Sequence, residues 1–176
     1  MIDLIIIILL MFFLIDIVMV YKFKIMYKSK HKYFLALLHA SILIINIIFI
    51  FYLGIVYSNK IFLALNIVGI IILVIGILLT IYTLIFLKEI AILPKNKLII
   101  KGPFKYARHP IYLGYILIVL GLSSFFSSLY LLIYLLFLVL ALNYLSRKEE
   151  EELIQRFGKQ YLNYIKTTPR FIFRKL

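Results

Sequence analysis

Cysteine is absent from this 176-residue chain, which excludes disulfides, thiolate-ligated zinc and cysteine nucleophiles and leaves the compartment open. Charge is scarce as well. Charged residues make up 15% and hydrophobic residues 65%, against roughly 25% and 45–50% in soluble domains. No core could hide that much apolar surface from water, so the solvent has to be lipid. Acids are the rarest charged group, 7 against 20 Lys and Arg, for a net charge of +13. Internal repeats and low-complexity linkers are missing. So are the marks of a secretory leader: the first apolar run follows Asp3, has no basic segment ahead of it and lacks a small-residue cleavage site, so it reads as a span.

Five runs are long or apolar enough to be spans: Leu4–Val20, Phe34–Tyr57, Ile61–Leu87, Ile111–Leu122 and Leu129–Leu145. The fourth is short for a full crossing and leads into a serine-rich turn over residues 123–128, which predicts a hairpin of the last two spans. Of the 20 cations, 19 fall on alternate connections: Lys22 to Lys32, Lys88 to Arg108, and Arg147 onwards. The excess of cations on cytoplasmic loops then predicts the N-terminus outside and the C-terminus inside. A charge of +13 would ordinarily raise nucleic acid as a partner. Here its distribution follows topology and suits an anionic leaflet, so no nucleic-acid partner is expected. The expected fold is an all-α integral membrane protein. Its division is a three-helix part over 1–87 and a part over 88–176 that carries the chemistry, in one structural domain. The Ile, Lys and Asn bias fits an AT-rich prokaryotic genome, hence a prokaryotic plasma membrane.

In the third span Asn66, Gly69, Gly76, Thr80 and Thr83 fall on one helical stripe, and such small residues let helices approach closely in lipid. His39 and Asn46 share a face of the second span, and Asp16 lies near the end of the first. Interhelical hydrogen bonding and an interfacial meeting with lysines are sufficient readings of these, and their roles stay open.

Two constellations concentrate the chemistry. Gly102-Pro103 marks a turn, and Pro110 fits the first turn of the fourth span, so His109 falls at its N-cap with Arg108 beside it. A helix start flanked by Arg and His attracts anions at the membrane surface; an ordinary basic loop is the alternative. The second is Arg147-Lys148-Glu149-Glu150-Glu151-Glu152. If the fifth helix continues, Asn143, Arg147, Glu150, Ile154, Phe157 and Tyr161 lie within about 40° of one line, with Glu152 on the opposite side. Glu150 is thus the acid on the inward face. A buried acid needs a cation, either Arg147 one turn back or a ligand's ammonium. The aromatic and basic tail, residues 157–173, suits an interfacial segment that folds back.

Gly-Pro-Phe-x-x-x-Arg-His-Pro-x-Tyr-x-Gly (102–114), Glu149-Glu150, Phe-Gly-x-x-Tyr-x-x-Tyr (157–164) and Thr-Pro-Arg-Phe (168–171) together resemble the isoprenylcysteine carboxyl methyltransferase family, whose outline phospholipid N-methyltransferases share. The resemblance covers roughly residues 88–173. It implies a membrane-embedded, S-adenosylmethionine-dependent methyltransferase that releases S-adenosylhomocysteine, without a soluble Rossmann-type domain; no glycine-rich strand–helix fingerprint occurs in the chain. It implies that Asn96, Lys97, Leu98, Ile99, Phe104, His109, Pro110, Ile111 and Tyr112 wrap the cofactor and that Glu150 holds its ammonium, with Glu89 a looser match to a polar cofactor contact. The family often carries a basic residue two positions before Arg147; Leu145 stands there instead, which implies a different recognition of the substrate head.

A sulfonium methyl is already electrophilic, so in-line attack needs alignment and desolvation more than acid–base groups. A carboxylate acceptor is ionised at neutral pH, whereas an amine must first lose a proton. No obvious base lies near the motif loop, which favours a carboxylate, and Arg108 and Arg147 are the candidates for orienting it. The expected acceptor is a lipid or prenylated molecule entering sideways from the membrane, with the cofactor entering from the cytosol. An amine-bearing phospholipid is the alternative within the class. Outside it stand an NADPH-dependent membrane double-bond reductase and a non-catalytic lipid-binding protein.

Overall fold

The computed structural model describes residues 47–52, 54–56, 63–90 and 98–171. The expected span Leu4–Val20, most of Phe34–Tyr57, Asp16, His39, Asn46, Asn96, Lys97 and the side chain of Glu89 lie outside the described residues. The chain divides into two units, Met1–Val56 and Tyr57–Leu176. In the first, residues 47–52 and 54–56 are helical. The second holds helices α1 (Leu63–Ile90), α2 (Pro110–Phe126), α3 (Leu129–Phe157) and α4 (Lys159–Thr167), with a 3-10 turn at Gly102–Lys105. The described residues contain no strand.

Helices α1 and α3 are long and apolar enough to cross a membrane. Only 11% of the most apolar stretch of α1 is buried. Ile67, Ile71, Leu78 and Ile85 stand out into the surroundings, where a water-soluble helix would carry polar groups.

The buried face of α1 is the small-residue stripe, and it packs antiparallel on α2 through backbone. A Cβ on Gly76 would lie 2.8 Å from the Ile118 nitrogen, and one on Gly121 would lie 2.5 Å from the Leu73 nitrogen and 2.8 Å from the Gly69 oxygen. Gly69 and Gly76 on α1 thus face Gly121 and Gly114 on α2, the close approach that small residues permit in lipid. Thr83 is fully buried. Its hydroxyl donates to the Leu79 carbonyl at 2.7 Å, and that of Thr80 to Gly76 at 2.9 Å, so neither brings an unsatisfied polar group into the interface.

The hairpin differs in detail from expectation. Helix α2 does not stop at Leu122 but runs through Phe126, because the Ser123 hydroxyl bonds the Leu120 carbonyl at 2.8 Å and stays within the helix. The turn is confined to Ser127, at φ 48°, and the buried Ser128. Helix α3 continues 12 residues beyond Leu145, to Phe157, carrying the acidic run with it. Gly158, at φ 53°, breaks it. No atom would crowd a Cβ there, so glycine is needed for the backbone turn and not for space. Beyond the turn α4 buries Tyr161 and Tyr164 and exposes Lys159, Gln160, Leu162 and Asn163, folding the tail back as expected.

Candidate functional site

Pro110 opens α2 and His109 is its N-cap, as the motif predicts. Before it, Gly102 takes φ 59° and lies so close to the Phe86 ring that a Cβ would sit 2.5 Å from it. Phe104 packs near Phe86, with centroids 6.4 Å apart, and its carbonyl accepts a hydrogen bond from the Tyr164 hydroxyl. Burial pushes the Tyr164 phenol up to about 12, so it remains a donor. The tail is also stitched to the helix start through backbone: the Arg108 N–H donates to Pro169 O at 2.9 Å and the His109 N–H to Arg170 O at 3.2 Å. These two amides, just ahead of α2, are therefore satisfied by the chain itself.

Glu150 is 5% exposed and sits at the meeting point of these elements. Its Oε1 accepts from Arg108 Nε at 3.0 Å, Arg170 Nε at 3.0 Å and His109 Nε2 at 3.2 Å. Its Oε2 accepts, among the described residues, from Arg170 Nη2 at 2.6 Å. Arg170 Nη1 reaches Asn143 Oδ1 at 2.7 Å, and Arg108 Nη1 donates to the Ile165 and Thr168 carbonyls. Glu150, the acid on the inward face of α3, is the buried one of the four. Its cations come from the loop and the tail, however, and not from Arg147, which is exposed one turn back along α3.

His109 faces two acids. Nδ1 lies 3.3 Å from Glu149 Oε2 and Nε2 3.2 Å from Glu150 Oε1. Only the imidazolium can donate from both nitrogens. Burial works to lower the His109 pKa, but the hydrogen bonds and charges of Glu149 and Glu150 outweigh it and hold the pKa above 6.5. Tyr112 stacks on the imidazole at 5.4 Å and donates to Glu149 Oε1 at 2.7 Å.

A cleft of about 1250 Å³ opens beside this cluster. Arg108, Asn143, Arg147, Glu150 and Arg170 line its polar part, and Leu113, Ile116 and Val139 of α2 and α3 its apolar part. Of the expected site, the structure brings Arg108, Arg147 and Glu150 to the cleft, with His109 and Tyr112 behind them through Glu149 and Glu150. Leu98, Ile99, Phe104, Pro110 and Ile111 are not among the cleft's lining residues. Sequence reasoning assigned no role to Arg170, Asn143 or Glu149. The signals were present: Thr-Pro-Arg-Phe stands in register with the other motifs, and Asn143 lies on the Glu150 face.

The fold is thus all-helical among the described residues, with two helices of membrane-crossing length and a charged cleft where α2 begins and α3 nears its end. The family model for phospholipid methyltransferases matches residues 58–160, more than half of the chain, and the chain belongs to that family of methyltransferases. No curated protein and no solved structure matches it.

Proposed function

We propose that this protein is a multi-pass membrane methyltransferase that uses S-adenosylmethionine to methylate a lipid-like acceptor. It has five spans, the N-terminus outside and the site at the cytosolic face of a prokaryotic plasma membrane. The distribution of cations supports the orientation, and the family supports a lipid-related acceptor. The observation that carries the reading is the cleft itself, which is lined by one carboxylate, several cations and an apolar flank.

The residues fit such a cofactor. Its amino-acid end is a zwitterion and requires both signs of charge. Glu150 lines the cleft, and among the described residues its Oε2 accepts from one donor, Arg170 Nη2, leaving acceptor capacity for an ammonium. When bound, S-adenosylmethionine supplies an electrophilic methyl on a sulfonium. The protein's part is then to align and to exclude water. Arg108 and His109 keep Glu150 ionised and fixed. Two of the Arg108 nitrogens are engaged by Glu150 and the tail carbonyls, so orientation of an anionic acceptor head falls chiefly to Arg147, with the acceptor's apolar part along Leu113, Ile116 and Val139.

Arg108, His109 and Arg170 against Glu149 and Glu150 leave one positive charge in excess, before Arg147 is counted. That surplus favours an acceptor carboxylate, of the isoprenylcysteine or another isoprenoid type. The family match supports a second reading, methylation of a phospholipid amine, in which Arg147 would meet the phosphate. Labelled methyl transfer in detergent to candidate lipids, followed by base hydrolysis, tests both. Volatile methanol marks an ester and the carboxylate reading; base-stable label marks the amine; absence of transfer to any lipid contradicts the proposal.

A further inference from the structure

The Glu150–Arg170 pair is built differently from the other ion pairs around the same acid. Arg170 meets both carboxylate oxygens, Nε to Oε1 at 3.0 Å and Nη2 to Oε2 at 2.6 Å, in the planar fork that matches guanidinium to carboxylate. Its side chain is 25% exposed, against 8% for Arg108. Arg108 is pinned by the Ile165 and Thr168 carbonyls, whereas Arg170 is tethered to α3 by Nη1 on Asn143. Glu150, Arg170 and Asn143 all line the cleft. Glu150 therefore has a fixed counter-ion, Arg108, and a second one at the cleft surface.

An amino-acid zwitterion is complementary to an ion pair, since its ammonium and carboxylate can replace the two partners for each other. We propose that Arg170 is the carboxylate-binding half of the methyl-donor site. The donor's amino-acid end inserts into the Glu150–Arg170 pair, with its ammonium on Glu150 and its carboxylate on Arg170. Neither partner is then left without a counter-ion, which is what makes opening a part-buried pair affordable. Asn143 keeps the guanidinium at the cleft while its Nε and Nη2 change partner. Arg147, exposed and further along α3, is left for the acceptor. This inference rests on the proposed function and extends it to a residue of the tail.

The test compares S-adenosylhomocysteine with its decarboxylated analogue by calorimetry on the full chain in detergent. In Arg170→Gln, affinity for S-adenosylhomocysteine is expected to fall roughly 10- to 100-fold, the loss of a charge-assisted pair, while affinity for the decarboxylated analogue changes less than about 3-fold. Thermal unfolding without ligand identifies a variant that does not fold. Arg170→Lys is then the variant read, and it should show the same carboxylate-selective loss because lysine lacks the fork. Equal losses for both ligands in a folded variant, or selectivity that follows Arg147→Gln instead, overturn the inference. Wild-type protein that binds neither ligand contradicts the proposed function itself, a separate result.

Discussion

Arg108 and Glu150, 42 residues apart, meet at 3.0 Å with both side chains under 10% exposed, joining the start of α2 to the final third of α3. Removing one partner of a buried pair costs far more than the pair contributes, because the remaining charge is left buried. Arg108→Met is expected to destabilise the folded protein by about 3 kcal/mol. In the double variant with Glu150→Gln the loss should be smaller than the sum of the single losses. Thermal unfolding of the three variants in detergent reads this, and strict additivity would contradict it.

His109 gives the protein a pH dependence of definite sign. Its pKa is raised in the folded state by Glu149 and Glu150. The contribution is fully present below the ordinary value of 6.5 and is lost as pH rises through the raised one. Arg108 and Arg170, which share Glu150, stay charged throughout, and Tyr112 donates to Glu149. The melting temperature should fall as pH rises above about 6.5 in the wild type and less steeply in His109→Gln. Parallel slopes would refute the imidazolium bridge.

How much of this was legible in the chain alone follows from the range of each interaction. Helical periodicity is local, so the Gly69–Gly76–Thr80–Thr83 stripe and the inward face of Glu150 could be read directly. The His109-Pro110 helix start follows from the fixed φ of proline. The partner of Glu150 could not be found this way. Arg147 is its neighbour in sequence, but the Gly158 turn and the Pro169 and Arg170 carbonyl contacts bring Arg170 from 20 residues away. Four serines within six residues predict a turn after Leu122, but Ser123 bonds back to Leu120 within the helix and α2 runs on to Phe126.

The α1–α2 contact should tolerate no side chain at Gly121. Alanine there would place a Cβ 2.5 Å from the Leu73 nitrogen, which is backbone and cannot rotate away. The helices must separate, at a cost of about 1–3 kcal/mol. Gly158→Ala meets no atom and should lose about 1–3 kcal/mol through backbone strain alone, since φ 53° with ψ −126° is a conformation that side chains rarely adopt. Adding Leu73→Ala cannot relieve the first clash, because the obstructing atom is the backbone nitrogen; recovery of the melting temperature by that change would count against the geometry.

Arg147 is exposed at the cleft. Arg147→Gln should raise KM for the anionic acceptor about 10-fold or more, the worth of one charge-assisted contact. It should leave KM for the methyl donor and the melting temperature within error. An equal rise in both KM values would move Arg147 to the donor.

Donor binding to Glu150→Gln is the most direct measurement. Calorimetric titration of S-adenosylhomocysteine into purified wild-type protein should give saturable binding at one site. The same titration into Glu150→Gln, verified as folded by thermal unfolding, should show affinity reduced about 100-fold, as expected when an ammonium loses its buried carboxylate. Equal binding by the two proteins would contradict the account.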